Sequence, residues 1–376
     1  MMTATLSLTL LTTALTTLGA GSPTPPTPPG NPVGLERTVT TPTPGDSRFT
    51  LAAQPAVIRI DPGRSGTVQV MTEQPGGTPA AVTLTAEGPS VGSGPEKITA
   101  VFGGPSGAAL TLTAGTDVPV GQHTITIRGR NADAEHTTQV TVIVERWLLV
   151  DDDRSGNNWP ANNPDAPDSH ADQFARAALT ASGRTFEVTV VPYSGSGQDK
   201  DEPDGPDAQA LSRYSGVLWY TGNTTVHPLT DTDREQLSAY LNMDARRVLL
   251  FSPGFVRDGT TNGATPAAPR AAYAPLITGQ LGLDQVAFPG AAAFALTGEA
   301  NTVTSGVTLN VASSVRGVLR PAAGTSALLK EGASVIVSGK ANVGARGSSK
   351  VVLAALSLSH LSRADAVTLL GKLMTF

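Results

Sequence analysis

The period of the apolar pattern changes at residue 147. Before it, apolar and polar residues alternate in short runs, of which Thr137-Thr-Gln-Val-Thr-Val-Ile-Val144 is the last. Period-two alternation bounded by turn residues specifies strands with one buried and one solvated face. From Trp147 onward the apolar runs become continuous, and helix-period stretches separate them. The first such run, Trp147-Leu-Leu-Val150, leads straight into Asp151-Asp152-Asp153. A strand apolar on both faces must be covered on both faces. The chain is therefore expected to hold a β-rich part followed by a part built on a buried central sheet.

In the first part, Ala56–Ile60, Gly66–Met71, Ala81–Thr85, Ala109–Thr113, His123–Arg128 and Thr137–Val144 read as strands, with Asp61-Pro-Gly63 as a turn. Short strands and frequent turns predict an antiparallel β-sandwich. In the second part, strands are expected at Trp147–Val150, Phe186–Val191, Gly216–Tyr220, Arg247–Phe251 and Lys350–Leu356. Helices are expected at Asp172–Ser182, Ala208–Tyr214, Thr230–Leu241, Ala272–Leu281 and Ser362–Met374, and residues 286–345 read as irregular β structure. Thr230 precedes acidic residues in its first helical turn, the arrangement of an N-cap. Strand-helix alternation over this length predicts a mostly parallel sheet with helices on both faces.

Composition narrows the function classes. The chain has 40 Gly and 29 Pro in 376 residues and is only 15% charged, which suits sandwiches, turns and linkers better than helical bundles. The net charge of −5 leaves no basic footprint, so nucleic acid is not an expected partner. Residues 147–250 hold 8 basic and 16 acidic residues, whereas residues 251–376 hold 10 and 5. Opposite signs draw these two stretches together. There is no cysteine. That excludes disulfides, thiolate metal ligands, lipid attachment through cysteine and a cysteine nucleophile.

Residues 1–20 are uncharged, moderately apolar and end in small residues, which reads as a signal or leader. Residues 21–46 form a Pro/Thr-rich linker that favours extended polyproline geometry. A stiff polar spacer behind an apolar N-terminus suits a domain held away from a membrane or wall. We therefore expect a secreted or cell-envelope protein with no integral membrane span beyond the leader.

Two resemblances sharpen the domain picture. Val82-Thr-Leu-Thr-Ala-Glu-Gly88, Val118–Gly129 and Thr137–Glu145 resemble strands of bacterial immunoglobulin-like domains of extracellular proteins, across residues 47–146. Leu148–Asp153, Val190–Ser194, Tyr214–Asn223, Leu229–Asp233, Arg247–Ser252 and Val351–Leu361 resemble class I glutamine-amidotransferase-like, or flavodoxin-like, domains of bacterial exported proteins. That second resemblance spans most of residues 147–376. Together they imply an immunoglobulin-like sandwich acting as spacer or binding module, followed by an amidotransferase-like α/β domain. The second also implies a cysteine after the strand Val248–Phe251. Here that position reads Ser252-Pro253-Gly254, so glutaminase activity is excluded. A rival hydrolase would pair Ser252 with His360. Against it, Gly-x-Ser-x-Gly is absent, and Pro253 has no N–H to offer an oxyanion hole.

Sheets of this kind bind ligands at the carboxyl ends of their parallel strands. Asp152, Asp153, Thr221, Gly222 and Asn223 are therefore the candidate ligand-binding residues. Asp151 and Asp153, with Asp165, Asp168, His170, Asp172 and the acidic loop Asp199–Asp207, are candidates to hold Ca²⁺, a cation that takes six to eight oxygens. The alternative is that one Asp caps the following turn and another pairs with an arginine. Trp159 is the candidate exposed aromatic for sugar stacking. The expectation is a non-catalytic binding or structural protein, with envelope polysaccharide or envelope proteins as partners and no cofactor beyond that cation.

Overall fold

A computed structural model describes residues 49–74, 81–104, 108–153, 170–192, 203–222, 227–260 and 263–376. Pro44–Phe376 form one compact unit. Its first eight strands are β1 (Thr50–Gln54), β2 (Val57–Ile60), β3 (Ser65–Glu73), β4 (Thr83–Glu87), β5 (Ile98–Gly103), β6 (Ala109–Ala114), β7 (Gly121–Arg130) and β8 (Glu135–Val144). They make two four-stranded sheets, ordered β1-β3-β6-β5 and β2-β8-β7-β4. Alternation positions the core: Leu110, Leu112, Ile125, Ile127, Val140 and Val142 all point into the shared interior. One pairing departs from the expected antiparallel pattern, since β2 runs parallel to β8.

The second sheet has nine strands: β9 (Trp147–Asp151), β10 (Phe186–Val190), β11 (Gly216–Tyr220), β12 (Arg247–Phe251), β13 (Leu283–Gly298), β14 (Thr308–Pro321), β15 (Thr325–Glu331), β16 (Ser334–Val343) and β17 (Ser349–Ala354). Their order is β10-β9-β11-β12-β17-β16-β14-β13-β15. The first five in that order are mutually parallel, and the remaining pairings are antiparallel. β15 pairs with both β13 and β16, so the antiparallel end closes on itself.

This corrects the expected immunoglobulin-like plus flavodoxin-like architecture, in which a mostly parallel sheet is layered by helices on both faces. Among the described residues strands dominate, the sheet is mixed, and the few helices supply only part of the cover on either side. The α-helices described are α1 (His170–Ala181), α2 (Ala208–Leu211), α3 (Asp231–Leu241), α4 (Pro253–Gly259) and α5 (Arg363–Leu373), five beside seventeen strands, with a π-helical turn at Pro275–Gln280. The long β13–β14 hairpin occupies the stretch read as irregular. The physical reason is that a continuous apolar run signals burial on both faces, not strand direction. In β16 the consecutive residues Val335–Gly339 are buried, yet the strand runs antiparallel to β17.

Two apolar cores lie on either side of this sheet. In β9, Trp147 and Leu149 join one, and Leu148 and Val150 join the other. Residues of α1 and α5 complete the first core, while residues of α3 and α4 complete the second.

The sandwich and the nine-stranded sheet meet around a buried carboxylate. Glu145, just past β8, pairs with Arg59 of β2, with Arg184 before β10 and, at 3.8 Å, with Arg247 of β12. Alongside, Asp61 accepts hydrogen bonds from the backbone N–H and the hydroxyl of Thr185, both at 2.8 Å. The Arg146 N–H donates to Ser215 Oγ at 3.0 Å, continuing the same joint.

Candidate functional site

Register brings the expected edge residues together. Asp151 of β9 lies opposite Tyr220 of β11, which lies opposite Phe251 of β12, which in turn faces Ala354 of β17. The residues that follow continue the ladder: Asp152 N donates to Tyr220 O, Thr221 N to Phe251 O and Ser252 N to Ala354 O, each at 3.0 Å. Asp152, Thr221 and Ser252 therefore form a row at one end of the parallel strands.

That row is closed to solvent. Asp152 is 3% exposed, and its Oδ2 accepts a 3.0 Å bond from the indole N–H of Trp219. A buried carboxylate needs donors of this kind. Thr221 and Ser252 are fully buried and share a 2.7 Å hydroxyl–hydroxyl bond. Ser252 Oγ also accepts from Phe255 N at 3.3 Å, making it the N-cap of α4 with Pro253 in the first turn. Proline is favoured there because that N–H has no helical partner.

Asp153 is buried, and its N–H donates to Asp151 Oδ1 at 3.4 Å, the contact the turn-capping alternative describes. Gly222, at φ 56°, packs where a Cβ would come within 2.7 Å of the Asp153 Cβ, so only glycine fits this close approach. Asn223, Asp165, Asp168, Trp159 and residues 199–202 of the acidic loop lie outside the described residues. Among the described residues, no group of three or more His, Asp or Glu side chains is placed to hold a metal ion.

The rest of the acidic loop is tied down. Thr230 Oγ1 donates to Asp204 Oδ1 at 2.6 Å while accepting from Asp233 N at 3.0 Å. Asp233 Oδ2 in return accepts from Thr230 N at 2.9 Å, completing the capping box of α3. Asp233 Oδ1 accepts from Gly205 N at 2.7 Å. Burial pushes the Asp233 carboxyl above the usual range, against the pull of those donors. Gly205 lies against the Trp219 ring: a Cβ there would sit 2.4 Å from Cη2. The loop thus lids the indole whose N–H holds Asp152.

A second polar group gathers around His227, a histidine isolated in the sequence. The His227 N–H donates to Asp258 Oδ2 at 2.5 Å, and its Nδ1 stands 3.9 Å from the same carboxylate. Burial raises the Asp258 pKa, opposed by the His227 N–H. Nearby, the buried Arg234 guanidinium stacks 4.1 Å over the Tyr273 ring and donates to Leu229 O at 3.0 Å. Arg234 falls within an amphipathic helix, where an arginine reads as surface. The His227–Asp258 and Arg234–Tyr273 pairs are joined only by tertiary folding, so no local signal marks them.

The Ser252–His360 pair is not assembled. Ser252 is committed to Thr221 and to α4, whose Phe255 and Val256 belong to one core. His360 closes a 3₁₀ turn, Leu358–His360, whose Leu358 belongs to the core on the other side of the sheet. No hydrogen bond joins the two side chains.

No protein-family model matches the chain, and no curated protein matches it. Among solved structures, the chain is similar to a cytoplasmic protein from Salmonella typhimurium at 10% identity and TM-score 0.36, covering 68% of this chain and 96% of that one. It is also similar to a sialyltransferase from Photobacterium damsela, at 10% identity and TM-score 0.25, covering 55% and 46%. The M3 domain of titin matches 23% of this chain over 86% of its own, at 20% identity and TM-score 0.18. At these values none of them carries an argument about this chain.

Proposed function

We propose that this chain is a non-catalytic extracytoplasmic protein with a binding or structural role, in which sandwich and sheet serve as one body. The observation that carries the reading is the state of Ser252. Its hydroxyl is fully buried, is held between Thr221 Oγ1 and Phe255 N, and serves as a helix cap. A nucleophile needs an adjacent base and access to substrate, and this hydroxyl is engaged in neither way. The same holds for Asp152, whose carboxylate anchors an indole. The polar row at the strand ends is thereby read as a lock on strand register. The Pro/Thr-rich stretch at residues 21–46 supports export, because it suits a spacer. Envelope polysaccharide or envelope proteins are the partners this reading names.

Two measurements test it. Cell fractionation is expected to place the protein outside the cytoplasm, with retention on isolated envelope polysaccharide or capture of envelope proteins. A fluorophosphonate probe is expected to leave Ser252 unlabelled. Labelling of Ser252 that disappears in His360→Ala would overturn the non-catalytic reading, and a purely cytoplasmic protein would overturn the compartment.

A further inference from the structure

Sandwich and sheet enclose a cleft of about 850 Å³ at their joint. Two turns form its walls: Asp61–Ser65, between β2 and β3, and Ser182–Thr185, between α1 and β10. Their facing surfaces are tied by the Asp61–Thr185 bonds. Ile60 and Phe186 supply apolar lining, and Arg59, Arg64 and Arg184 supply charge. This volume matches pockets that hold small organic ligands.

The charges around the cleft do not balance. Arg59, Arg184 and Arg247 converge on the single carboxylate of Glu145. Arg64 is exposed at the rim and makes no ion pair among the described residues. Among the lining residues the one acid is Asp61, which accepts from Thr185 and offsets part of the charge on Arg184. With Glu145 and Arg247 counted behind the lining, four guanidiniums meet two carboxylates. Burial, and then the Arg247 and Arg59 charges, lower the Arg184 pKa, and burial followed by Arg59 does the same to Arg247. Like charges held this close call for an additional anion.

We propose that this cleft is a binding site for a phosphate- or sulfate-type oxyanion, carried on a small molecule or on a polymer. Arg59, Arg64 and Arg184 present planar donor forks suited to such an anion. The apolar lining receives the carbon skeleton to which the anion is attached. The site lies away from the strand-end row and does not depend on the compartment or on the reading of Ser252.

The test uses the whole protein and inorganic phosphate or sulfate, titrated calorimetrically at ionic strength matched with chloride. Saturable binding beyond chloride is expected, weakened about tenfold by Arg64→Ala and further by Arg64→Glu. Neither substitution removes an ion pair among the described residues, so both variants are expected to fold, checked by circular dichroism before titration. Dextran sulfate compared with neutral dextran separates the sources: binding at a stoichiometry above that of the free ion, yet equally sensitive to Arg64, assigns the anion to a polymer. Absence of saturable phosphate and sulfate binding would overturn the site. So would binding that Arg64→Glu leaves intact, or dextran sulfate binding without any binding of the free ions.

Discussion

The two regions of this molecule treat charge in opposite ways. In the sandwich, Arg128 bridges Glu87 and Glu135 with all three side chains well exposed. Its core is a cluster of apolar side chains set by alternation. At the joint and in the nine-stranded sheet, charge goes inside: Glu145, Asp152, Asp233 and Arg234 are all buried. Apolar alternation suffices to hold two sheets face to face. Joining unlike sheets and fixing where strands end takes directional contacts, and a buried carboxylate with matched donors supplies them. The same substitution chemistry is therefore expected to have effects of very different size in the two regions.

The largest effect is expected at the joint. Glu145→Gln leaves Arg59, Arg184 and Arg247 without their counter-charge and is expected to cost about 3 kcal/mol in urea unfolding. A loss no larger than that of a surface substitution would remove the distinction drawn between the regions. Next comes Trp219→Phe, which keeps most of the ring but takes the N–H from Asp152. About 2 kcal/mol is expected, and a double-mutant cycle with Asp152→Ala should show strong coupling between the pair. Thr230→Ala removes a helix cap together with the Asp204 bond. Its expected cost is about 1 kcal/mol, which Thr230→Ser should largely restore in thermal melts. The smallest effect belongs to the sandwich: Arg128→Ala, at an exposed ion pair, should leave the urea midpoint within the spread of ordinary surface substitutions. A loss there approaching that of Glu145→Gln would mean the sandwich, too, depends on its ion pairs.

Local pattern made part of this legible. Alternation located β2, β3, β6, β7 and β8, because each buries every second residue against the same core. Thr230 announced its cap, and Trp219, inside an apolar strand, announced its burial. Other features needed the folded chain. β1 and β5 have weaker alternation, and the Gly- and Ala-rich β13 gave no period at all. Strand direction in the second sheet was invisible, since the apolar run of β17 serves both its parallel pairing with β12 and its antiparallel pairing with β16. Ser252 illustrates the limit within the candidate site. Read as a possible nucleophile, it is a cap, and Pro253 immediately after it was the sign. Glu145 looked like the end of a strand, but its partner Arg59 lies 86 residues away.

The closure of β15 onto both β13 and β16 bears on self-association. An open sheet has two free rims and can recruit strands at either, which permits growth into filaments. Here the antiparallel end folds back on itself, with Thr297 and Gly298 of β13 opposite Lys330 and Leu329 of β15. Among the described residues, the strand at the other end is β10, five residues long and carrying Glu187. A short outer strand bearing a charge is a poor template for a further strand, so the parallel end of this sheet carries one of the devices that limit edge-to-edge growth.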